Sequence, residues 1–208
     1  MPAKGVKPNL KRCSWVSKDD ELYLHYHDTE WGVPEYDSDQ LFEKLLLEGA
    51  QAGLSWRTIL HKRAGYQKLF AGFNAEKMAR FTDKKLEKLL LDERIVRNRL
   101  KVYGFRKNAK AYLALKEQGV DFSEQLWSFV GGEPKINKFR SMKSVPTTSP
   151  SSIAMSKYLK KSGFTFVGPT IVYAFMQACG LVNDHFTSCF RYDEVSSEKK
   201  ISKQEKLC

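Results

Sequence analysis

Apolar residues recur at helical spacing along most of the chain, and few stretches alternate in the way that a half-buried strand would. In the clearest segment, Asp37 and Gln40 have the spacing of a capping box that begins a helix at about Ser38. Its apolar stripe consists of Leu41, Phe42, Leu45, Leu46 and Gly49. The pattern therefore predicts an all-α fold, a multi-helix globule built from short helices.

Capping residues and glycines predict where the other helices begin and end. They indicate helices over 19–27, 37–53, 55–72, 97–118, 121–129, 149–163 and 169–180, with two short helices beginning at Asn74 and Thr82. The segment that follows Pro169, TIVYAFMQAC, is apolar nearly all round, so we expect it at the centre of the fold. Residues 131–150 are rich in Gly, Pro and Ser and are the best candidate for a long surface loop.

Residues 86–110 have the pattern of two helices joined by a tight bend, with the apolar pair Ile95 and Val96 in the bend. Helix-hairpin-helix units bind the DNA backbone through amides at the start of their second helix. The basic residues near this bend would suit such a role; they are Arg94, Arg97, Arg99, Lys101, Arg106, Lys107 and Lys110. A helical pair with a basic outer face is also common without DNA contact, so both interpretations stay open.

Composition narrows the choice of partner. The 208 residues include 35 Lys and Arg against 24 Asp and Glu, which gives a net charge of +11. This balance favours an anionic polymer, nucleic acid first and an acidic membrane surface second. The length suits one domain, which we place at 12–190 between a disordered basic leader, 1–11, and a disordered polar tail, 191–208. Such tails could also serve solubility alone.

The sequence has no pattern of a membrane or secreted protein. No apolar run approaches the ~18 residues that a transmembrane helix needs, and no signal-peptide pattern follows Met1. The 4 cysteines are too few and too scattered for a disulfide framework. We therefore expect a cytoplasmic protein with no membrane partner, acting as a monomer.

Two pairs of possible metal ligands lie near opposite ends of the predicted domain. They are Cys13 with His27, and His185 with Cys189. Two thiolates and two imidazoles complete a tetrahedral zinc site with no open position, so such a metal would be structural. It would join the N-terminal segment to the C-terminal segment and close a very long loop. The alternative is two small buried thiols and two ordinary histidines.

Glu48 stands in an otherwise apolar run, at the edge of the buried face of its predicted helix. The aromatic residues around it in the sequence are Trp15, Tyr23, Tyr26, Trp31 and Trp56. Most aromatic residues fill cores, and these could do only that. Alternatively, they form a cage for a planar, electron-poor ring. A buried carboxylate beside that cage would accept hydrogen bonds from an exocyclic amine and favour positive charge on the ring.

Four blocks in order are more specific than any single residue: RCSWVSKDDELYLHYHDTEWGVP, LFEKLLLEGAQAGLSWRTIL, WSFV and GFTFVGPTIVYAFMQACGLVNDHFTSC. They resemble the 3-methyladenine DNA glycosylase I family of the helix-hairpin-helix glycosylase superfamily, and the resemblance covers 13–189. It implies an all-helical fold with one structural zinc ion. It also implies a monofunctional hydrolase of base-excision repair that flips out 3-methyladenine from alkylated double-stranded DNA and releases it, leaving an abasic site.

The resemblance also implies roles for individual residues. The zinc positions match Cys13, His27, His185 and Cys189. The residues that match the base pocket are Glu48, which reads the base, Tyr26 and Trp56, which hold it, and Tyr23, Trp15 and Trp31, which line it. Gly53 and Leu54 match a DNA-binding turn that wedges into the duplex. The catalytic Asp of other superfamily members is missing, so Glu48, the one catalytic candidate, is assigned binding and electrostatic support.

Two other classes of function stay open at this stage. One is a non-catalytic binder of damaged or abasic DNA on the same fold. The other is a structural zinc domain whose basic surface docks RNA or a protein. Release of free 3-methyladenine from methylated DNA would distinguish the enzyme from both. One departure from the family pattern is Arg94, which stands where the hairpin often has Gly, the residue that most easily adopts a positive φ.

Overall fold

The computed structural model describes residues 10–17 and 19–197, and their regular secondary structure is almost entirely helical. In chain order their helices are α1 (Glu21–Thr29), α2 (Ser38–Gln51), α3 (Trp56–Leu69), α4 (Ala75–Ala79), α5 (Asp83–Leu89), α6 (Arg99–Glu117), α7 (Phe122–Ser128), α8 (Pro150–Lys161), α9 (Pro169–Ala178) and α10 (Arg191–Ser197). Short 3₁₀ turns occupy Ala71–Phe73 and Met142–Ser144, and the two strands are β1 (Lys135–Ile136) and β2 (Val182–Asn183). The predicted all-α class is confirmed. Within the described ranges, no helix is long and apolar enough to cross a membrane.

Side-chain caps determine where the helices begin. The Asp37 side chain accepts hydrogen bonds from the amides of Asp39 and Gln40, and Ser55 accepts one from the amide of Thr58. Four more helices, α4, α5, α7 and α8, are capped in the same way by Asn74, Thr82, Asp121 and Ser149. Each cap satisfies first-turn amides that have no partner within the helix. The predicted starts at these positions are confirmed.

Helices α2 and α9 pack against each other at the centre of the fold. Phe42 of α2 and both Val172 and Phe175 of α9 are fully buried. Helix α6 packs on another side of α2, where the rings of Phe42 and Tyr112 stack with centroids 4.5 Å apart. The central position predicted for α9 is confirmed. Because α2 is covered on several sides, Glu48 near its C-terminal end is carried into the interior.

Helices α5 and α6 form the predicted hairpin. Ile95 is buried in the bend, and the amide of Val96 donates to the hydroxyl of Tyr66 on α3 at 3.1 Å. Gly65 allows α3 to come this close, since a Cβ there would overlap the carbonyl oxygen of Arg94. Arg94 itself does not have a positive φ. The bend therefore does not require glycine where Arg94 stands.

The predicted disordered tail, 191–208, is wrong over its first part because 191–197 form α10. Val195, a residue of this helix, is buried. The side-chain amide of Asn183 donates to the carbonyl of Tyr192 at 3.0 Å and so fastens α10 to β2. One buried apolar residue within a polar run is too weak a pattern to predict a helix, because the stabilising contacts come from a distant segment.

The disordered leader predicted at 1–11 is also too long, because its last residues make ordered contacts. The carbonyl of Lys11 accepts a backbone hydrogen bond from Phe190 at 2.9 Å, so ordered contacts begin before residue 12. Residues 1–9 and 198–208 lie outside the described ranges, and the disorder expected for them stays a prediction.

The connection between α7 and α8, predicted as a surface loop, is mostly exposed but carries more structure than expected. It contains β1, which pairs in parallel with β2, Lys135 opposite Val182 and Ile136 opposite Asn183. Strands of two residues are too short for alternation to be visible in a sequence. Further along, Met142 of the same connection lines a cavity that Glu48 also borders. The loop therefore contributes to the candidate site.

Candidate active site and metal centre

A cavity of about 240 Å³ lies beside the C-terminal half of α2. Six of its lining residues are those that the sequence analysis assigned to a base pocket: Trp15, Tyr23, Tyr26, Trp31, Glu48 and Trp56. The volume is below the ~300–1,000 Å³ of pockets that take drug-sized ligands, so the cavity suits one small planar molecule. The structure thus brings the six predicted pocket residues together.

The aromatic residues of the cavity form a continuous group. The rings of Tyr26 and Trp56 have centroids 5.3 Å apart at an interplanar angle of 40°. Trp15 packs against Tyr23 at 5.3 Å and against Trp31 at 4.9 Å. These separations are typical of favourable ring packing. Flat apolar surfaces therefore line the space that Glu48 also borders.

Glu48 is 4% exposed and borders this cavity. Burial raises the pKa of its carboxyl group to about 8. Its Oε2 atom has no hydrogen-bond partner among the described residues, and neither has the indole Nε1 of Trp56. Buried polar atoms without partners are rare in native structures and call for an explanation. Here one acceptor and one donor border the same cavity, as expected of groups that bind a ligand.

Burial also affects the hydroxyl of Tyr26. It raises the pKa of this phenol well above its ordinary value, with the nearby carboxyl of Glu48 acting in the same direction. The hydroxyl therefore keeps its proton across the physiological range. Tyr26 contributes an apolar ring and a neutral hydroxyl to the cavity, and no negative charge.

The sequence analysis missed three polar residues of the cavity wall: Gln51 at the end of α2, Gln177 on α9 and Asp184 directly after β2. The buried carboxylate of Asp184 accepts hydrogen bonds from the Tyr173 hydroxyl at 2.8 Å, from Gln177 Nε2 at 2.8 Å and from Asn137 Nδ2 at 2.7 Å. Because Nε2 of Gln177 is committed to Asp184, its Oε1 atom is left as an acceptor. The available signals were an amide inside an apolar helix and a carboxylate next to the predicted ligand His185.

Gly53 and Leu54 form an exposed turn at the C-terminal end of α2. Gly53 has φ +75°, a conformation that glycine adopts without strain, and Leu54 is 42% exposed. From α6, the Nζ atom of Lys101 donates to the carbonyls of Ala50 at 2.8 Å and Ala52 at 2.6 Å. The turn is thus fastened to the second helix of the hairpin.

Cys13, His27, His185 and Cys189 converge in a buried cluster whose ligand atoms all lie within 4.8 Å of one another. Nδ1 of His185 lies 3.6 Å from Sγ of Cys13 and 3.5 Å from Sγ of Cys189. Nε2 of His27 lies 3.5 Å from Sγ of Cys189. With Zn–S of ~2.3 Å and Zn–N of ~2.05 Å, the nitrogen–sulfur edge of a tetrahedron is ~3.6 Å. The cluster has the donor set and the spacing to hold one metal ion.

Each histidine of the cluster has a partner for its other ring nitrogen. Nδ1 of His27 lies 2.8 Å from Oδ1 of Asp28, whose Oδ2 accepts from Nη2 of Arg12 at 2.6 Å. Nε2 of His185 donates to the carbonyl of Trp31 at 3.0 Å. Such bonds orient the rings of metal-binding histidines and fix the tautomer whose lone pair points at the metal. The contacts that would orient both histidines toward a metal are therefore present as well.

The protonation of these side chains also suits a metal. Burial lowers the pKa of His185, which keeps its imidazole neutral. The hydrogen bond between the two thiols lowers the pKa of Cys189 and raises that of Cys13, so Cys189 is the thiol that ionises first. Neutral imidazoles and thiolates are the forms in which these residues bind metals.

Trp31 connects the cluster to the cavity. Its ring lies 4.6 Å from that of His185 at an interplanar angle of 83°, and 6.4 Å from that of His27 at 15°. The same indole lines the cavity. The cluster therefore supports one wall of the pocket, and its integrity bears on the position of Trp31.

Comparison with known proteins provides evidence on the family of this chain that does not depend on the geometry of the cavity. A sequence model of a family described as "Methyladenine glycosylase" matches residues 15–192. The chain is 49% identical over 183 residues to DNA-3-methyladenine glycosylase 1 of Escherichia coli (strain K12), covering 88% of this chain and 97% of that protein. A crystal structure of a 3-methyladenine DNA glycosylase I is similar with a TM-score of 0.85 and 51% identity, covering 86% of this chain and 98% of that chain. A structure concerned with 3-methyladenine recognition by the Staphylococcus aureus 3-methyladenine DNA glycosylase I is similar with a TM-score of 0.84 and 38% identity, covering 88% and 97%.

Proposed function

The chain belongs to the methyladenine glycosylase family, and from this premise we propose how its cavity performs the family reaction. The chain is a DNA-3-methyladenine glycosylase, an enzyme that hydrolyses the bond between the methylated base and its deoxyribose in damaged DNA. The base leaves as free 3-methyladenine, and an abasic site stays in the strand. The observation that carries the assignment of the site is the buried carboxylate of Glu48 beside an aromatic cavity, with an Oε2 atom that has no hydrogen-bond partner in the described part of the chain.

Recognition of the base relies on its charge. Methylation at N3 leaves the adenine ring of the nucleotide positively charged, and an electron-poor ring is attracted to aromatic faces. In our proposal the ring lies against Tyr26 and Trp56, while Trp15, Tyr23 and Trp31 close the rest of the pocket. Glu48 accepts a hydrogen bond from the exocyclic amine and, when ionised, favours the positive ring. An unmodified purine gains much less from this charged environment.

Access to the base requires that the nucleotide leave the duplex, which costs a few kcal/mol and least for a poorly stacked lesion. The hairpin of α5 and α6 supplies amides at the start of α6 and nearby basic side chains for the phosphate backbone. The exposed turn at Gly53 and Leu54 fills the space from which the nucleotide has left. The partner is therefore double-stranded DNA containing alkylated adenine.

The chemical step needs little acid catalysis because a cationic base is already a good leaving group. Water attacks the sugar carbon, the electrons of the carbon–nitrogen bond pass to the purine, and the attacking water loses a proton to solvent. Glu48 contributes binding and electrostatic support. Asp184 is committed to three hydrogen bonds in the structure, so we assign it the orientation of Gln177 and no part in activating water.

We propose zinc as the ion of the Cys13, His27, His185 and Cys189 cluster. Two thiolates and two imidazoles form a closed structural set that leaves no position for a substrate. When bound, the ion supplies cross-linking between the two ends of the domain and no reaction chemistry. The protein's own contribution is to hold His27 and His185 through Asp28 and the carbonyl of Trp31.

A release assay with identification of the product tests the function. Duplex DNA treated with a methylating agent is incubated with the protein, and the released bases are separated by chromatography. We expect 3-methyladenine from the wild type and a strongly reduced yield from Trp56→Ala, because loss of stacking on one aromatic face costs ~1–3 kcal/mol. A protein that binds methylated or abasic DNA yet releases no base would be a non-catalytic binder and would contradict the assignment.

A further inference from the structure

Lys101 occupies an unusual environment for a lysine. It lies in the first turn of α6 and is 6% exposed. Its Nζ donates to two backbone carbonyls, those of Ala50 and Ala52, at 2.8 and 2.6 Å. No carboxylate forms an ion pair with it among the described residues. Burial lowers its pKa, and a buried ammonium group is unfavourable unless strong hydrogen bonds offset its lost hydration.

The two carbonyls belong to the C-terminal end of α2, where helical carbonyls have no partner within the helix. This end carries partial negative charge, which favours a cation. The next residues along the chain are Gly53 and Leu54, the exposed turn. One side chain therefore satisfies the end of α2 and at the same time determines where the turn lies relative to α6.

Lys101 itself lies at the start of α6, the part of the hairpin that faces DNA in the proposed function. Asn98 caps α6 and accepts a hydrogen bond from the Lys101 amide at 3.1 Å. The backbone of Lys101 thus belongs to the helix start that, in the proposed function, contacts the phosphate backbone. Its side chain belongs to the turn that enters the duplex.

We propose that Lys101 is a positioning residue that sets the wedge turn, Gly53 and Leu54, in register with the hairpin, so that Leu54 enters the duplex where the hairpin has located the backbone. The inference rests on the proposed function. Lys101 does not bind phosphate in this proposal, since two of its protons are used internally and little of the side chain is exposed. Its effect on excision passes through Leu54.

The test uses Lys101→Met in the full chain, which keeps the length of the side chain and removes its donors. Single-turnover excision of 3-methyladenine from duplex DNA should fall by about tenfold or more, while the affinity for free 3-methyladenine should stay within about twofold. The dependence of duplex binding on salt should keep the wild-type slope, because no phosphate contact is lost. Lys116→Met removes an exposed charge from the far end of α6 and should leave all three quantities unchanged. Lys101→Gln serves as a second variant should the first fail to fold, as judged by circular dichroism.

A double-mutant cycle with Leu54→Ala tests whether the effect passes through the wedge. If it does, Lys101→Met should reduce duplex excision by less than about twofold in the Leu54→Ala background. Independent, multiplicative losses would overturn the proposal. So would unchanged duplex excision, an equal loss of free-base affinity, or a salt slope reduced by about one, which would mark a phosphate contact. A wild type that releases no base would contradict the proposed function itself, whatever the variants do.

Discussion

Glu48 is held where a charged carboxylate is unfavourable. Its pKa of about 8 in the folded protein compares with an ordinary value of 4.5, so between these values the folded state binds more protons than the unfolded state. The free energy of unfolding therefore falls as pH rises through this range. A residue that weakens the fold in this way is typical of a functional site. The lower free energy of unfolding accompanies the position of this carboxyl group at the aromatic cavity, where it can bind a ligand.

Glu48→Gln should abolish the pH dependence that this carboxyl imposes on excision. In the wild type, kcat/KM on alkylated duplex DNA should rise with pH, with a midpoint near 8, as Glu48 becomes charged in the free enzyme. In the variant this rise should disappear, and the affinity for free 3-methyladenine should drop by about tenfold, the value of one strong hydrogen bond. Rates from pH 5.5 to 9 and calorimetric titrations provide the measurements.

The same variant carries its own control for folding. Because glutamine has no proton to lose, Glu48→Gln should be more stable than the wild type at pH 8.5 and closer to it at pH 5, which urea unfolding at the two pH values can measure. An unaltered pH profile of excision in a well-folded variant would remove Glu48 from the site.

Gln177→Met tests whether the amide on α9 reads the exocyclic amine. The change keeps the length of the side chain but removes the acceptor that Asp184 orients. We expect about tenfold weaker binding of 3-methyladenine and a much smaller loss for 3-methylpurine, which has no amine. Fluorescence titration with the two ligands measures the difference. Gln118→Met, an exposed position at the end of α6, is the matched control, and equal losses for both ligands would contradict a role in recognising the amine.

Individual residues differ in how far the sequence could predict their positions and roles. Glu48 stood out because a carboxylate among apolar residues is conspicuous, and Cys13 and His185 because paired thiols and imidazoles are possible metal ligands. The local pattern left their roles open, and the resemblance to a known family implied them. Lys101 was assigned to an outer basic surface, whereas it is buried against α2. The Lys101 side chain points toward carbonyls 49 and 51 positions away in the sequence, and no local pattern predicts such a contact. The Gln177 side chain points toward Asp184, seven positions away but beyond the end of its helix, so helical spacing does not predict that contact either.

At the level of elements, the close approach of α3 to the hairpin depends on Gly65, which has no side chain. Gly65→Ala would place a methyl group against the carbonyl of Arg94, and backbone cannot yield as a flexible side chain can. We expect a loss of ~1–3 kcal/mol in the free energy of unfolding, with weaker binding to duplex DNA because the bend moves. Urea unfolding and a DNA titration measure the two effects.

Gly168→Ala provides the matched control, since an added Cβ there meets no atom within 4 Å. It should change the free energy of unfolding by no more than ~0.5 kcal/mol. Should both alanine variants behave alike, contact with Arg94 would not explain Gly65.

Elements with local signals were predicted well, and elements without them were not. Helices capped by Asp37, Ser55 and Ser149 begin where the capping residues indicate, because a cap acts on amides two or three positions away. Helix α10 and the pairing of β1 with β2 were missed. Their stabilising contacts, such as the bond from Asn183 to Tyr192, join segments that no short window contains together.

For the molecule as a whole, the cysteine and histidine cluster brings together side chains from near both ends of the described chain. Purified protein should contain about one zinc ion per chain by elemental analysis. Removing the metal should destabilise the fold by ~3 kcal/mol or more, a fall of ~6–12 °C in Tm for a chain of this length. Base binding should weaken in parallel because Trp31 loses its support.

Cys189→Ser separates loss of the metal from side effects of the chelator. The variant should melt at the temperature of the chelated wild type, and added chelator should not lower its Tm further. Less than about half an equivalent of metal in protein purified without chelator would count against the zinc site.

The cavity draws its walls from both ends of the chain, with Trp15 and Tyr23 on one side and Gln177 and Phe186 on the other. During translation the first of these residues leaves the ribosome long before the last is made. A chain synthesised only as far as α8 therefore lacks part of the pocket wall. Under the proposed function, competence for excision requires that the final segment fold back onto the first.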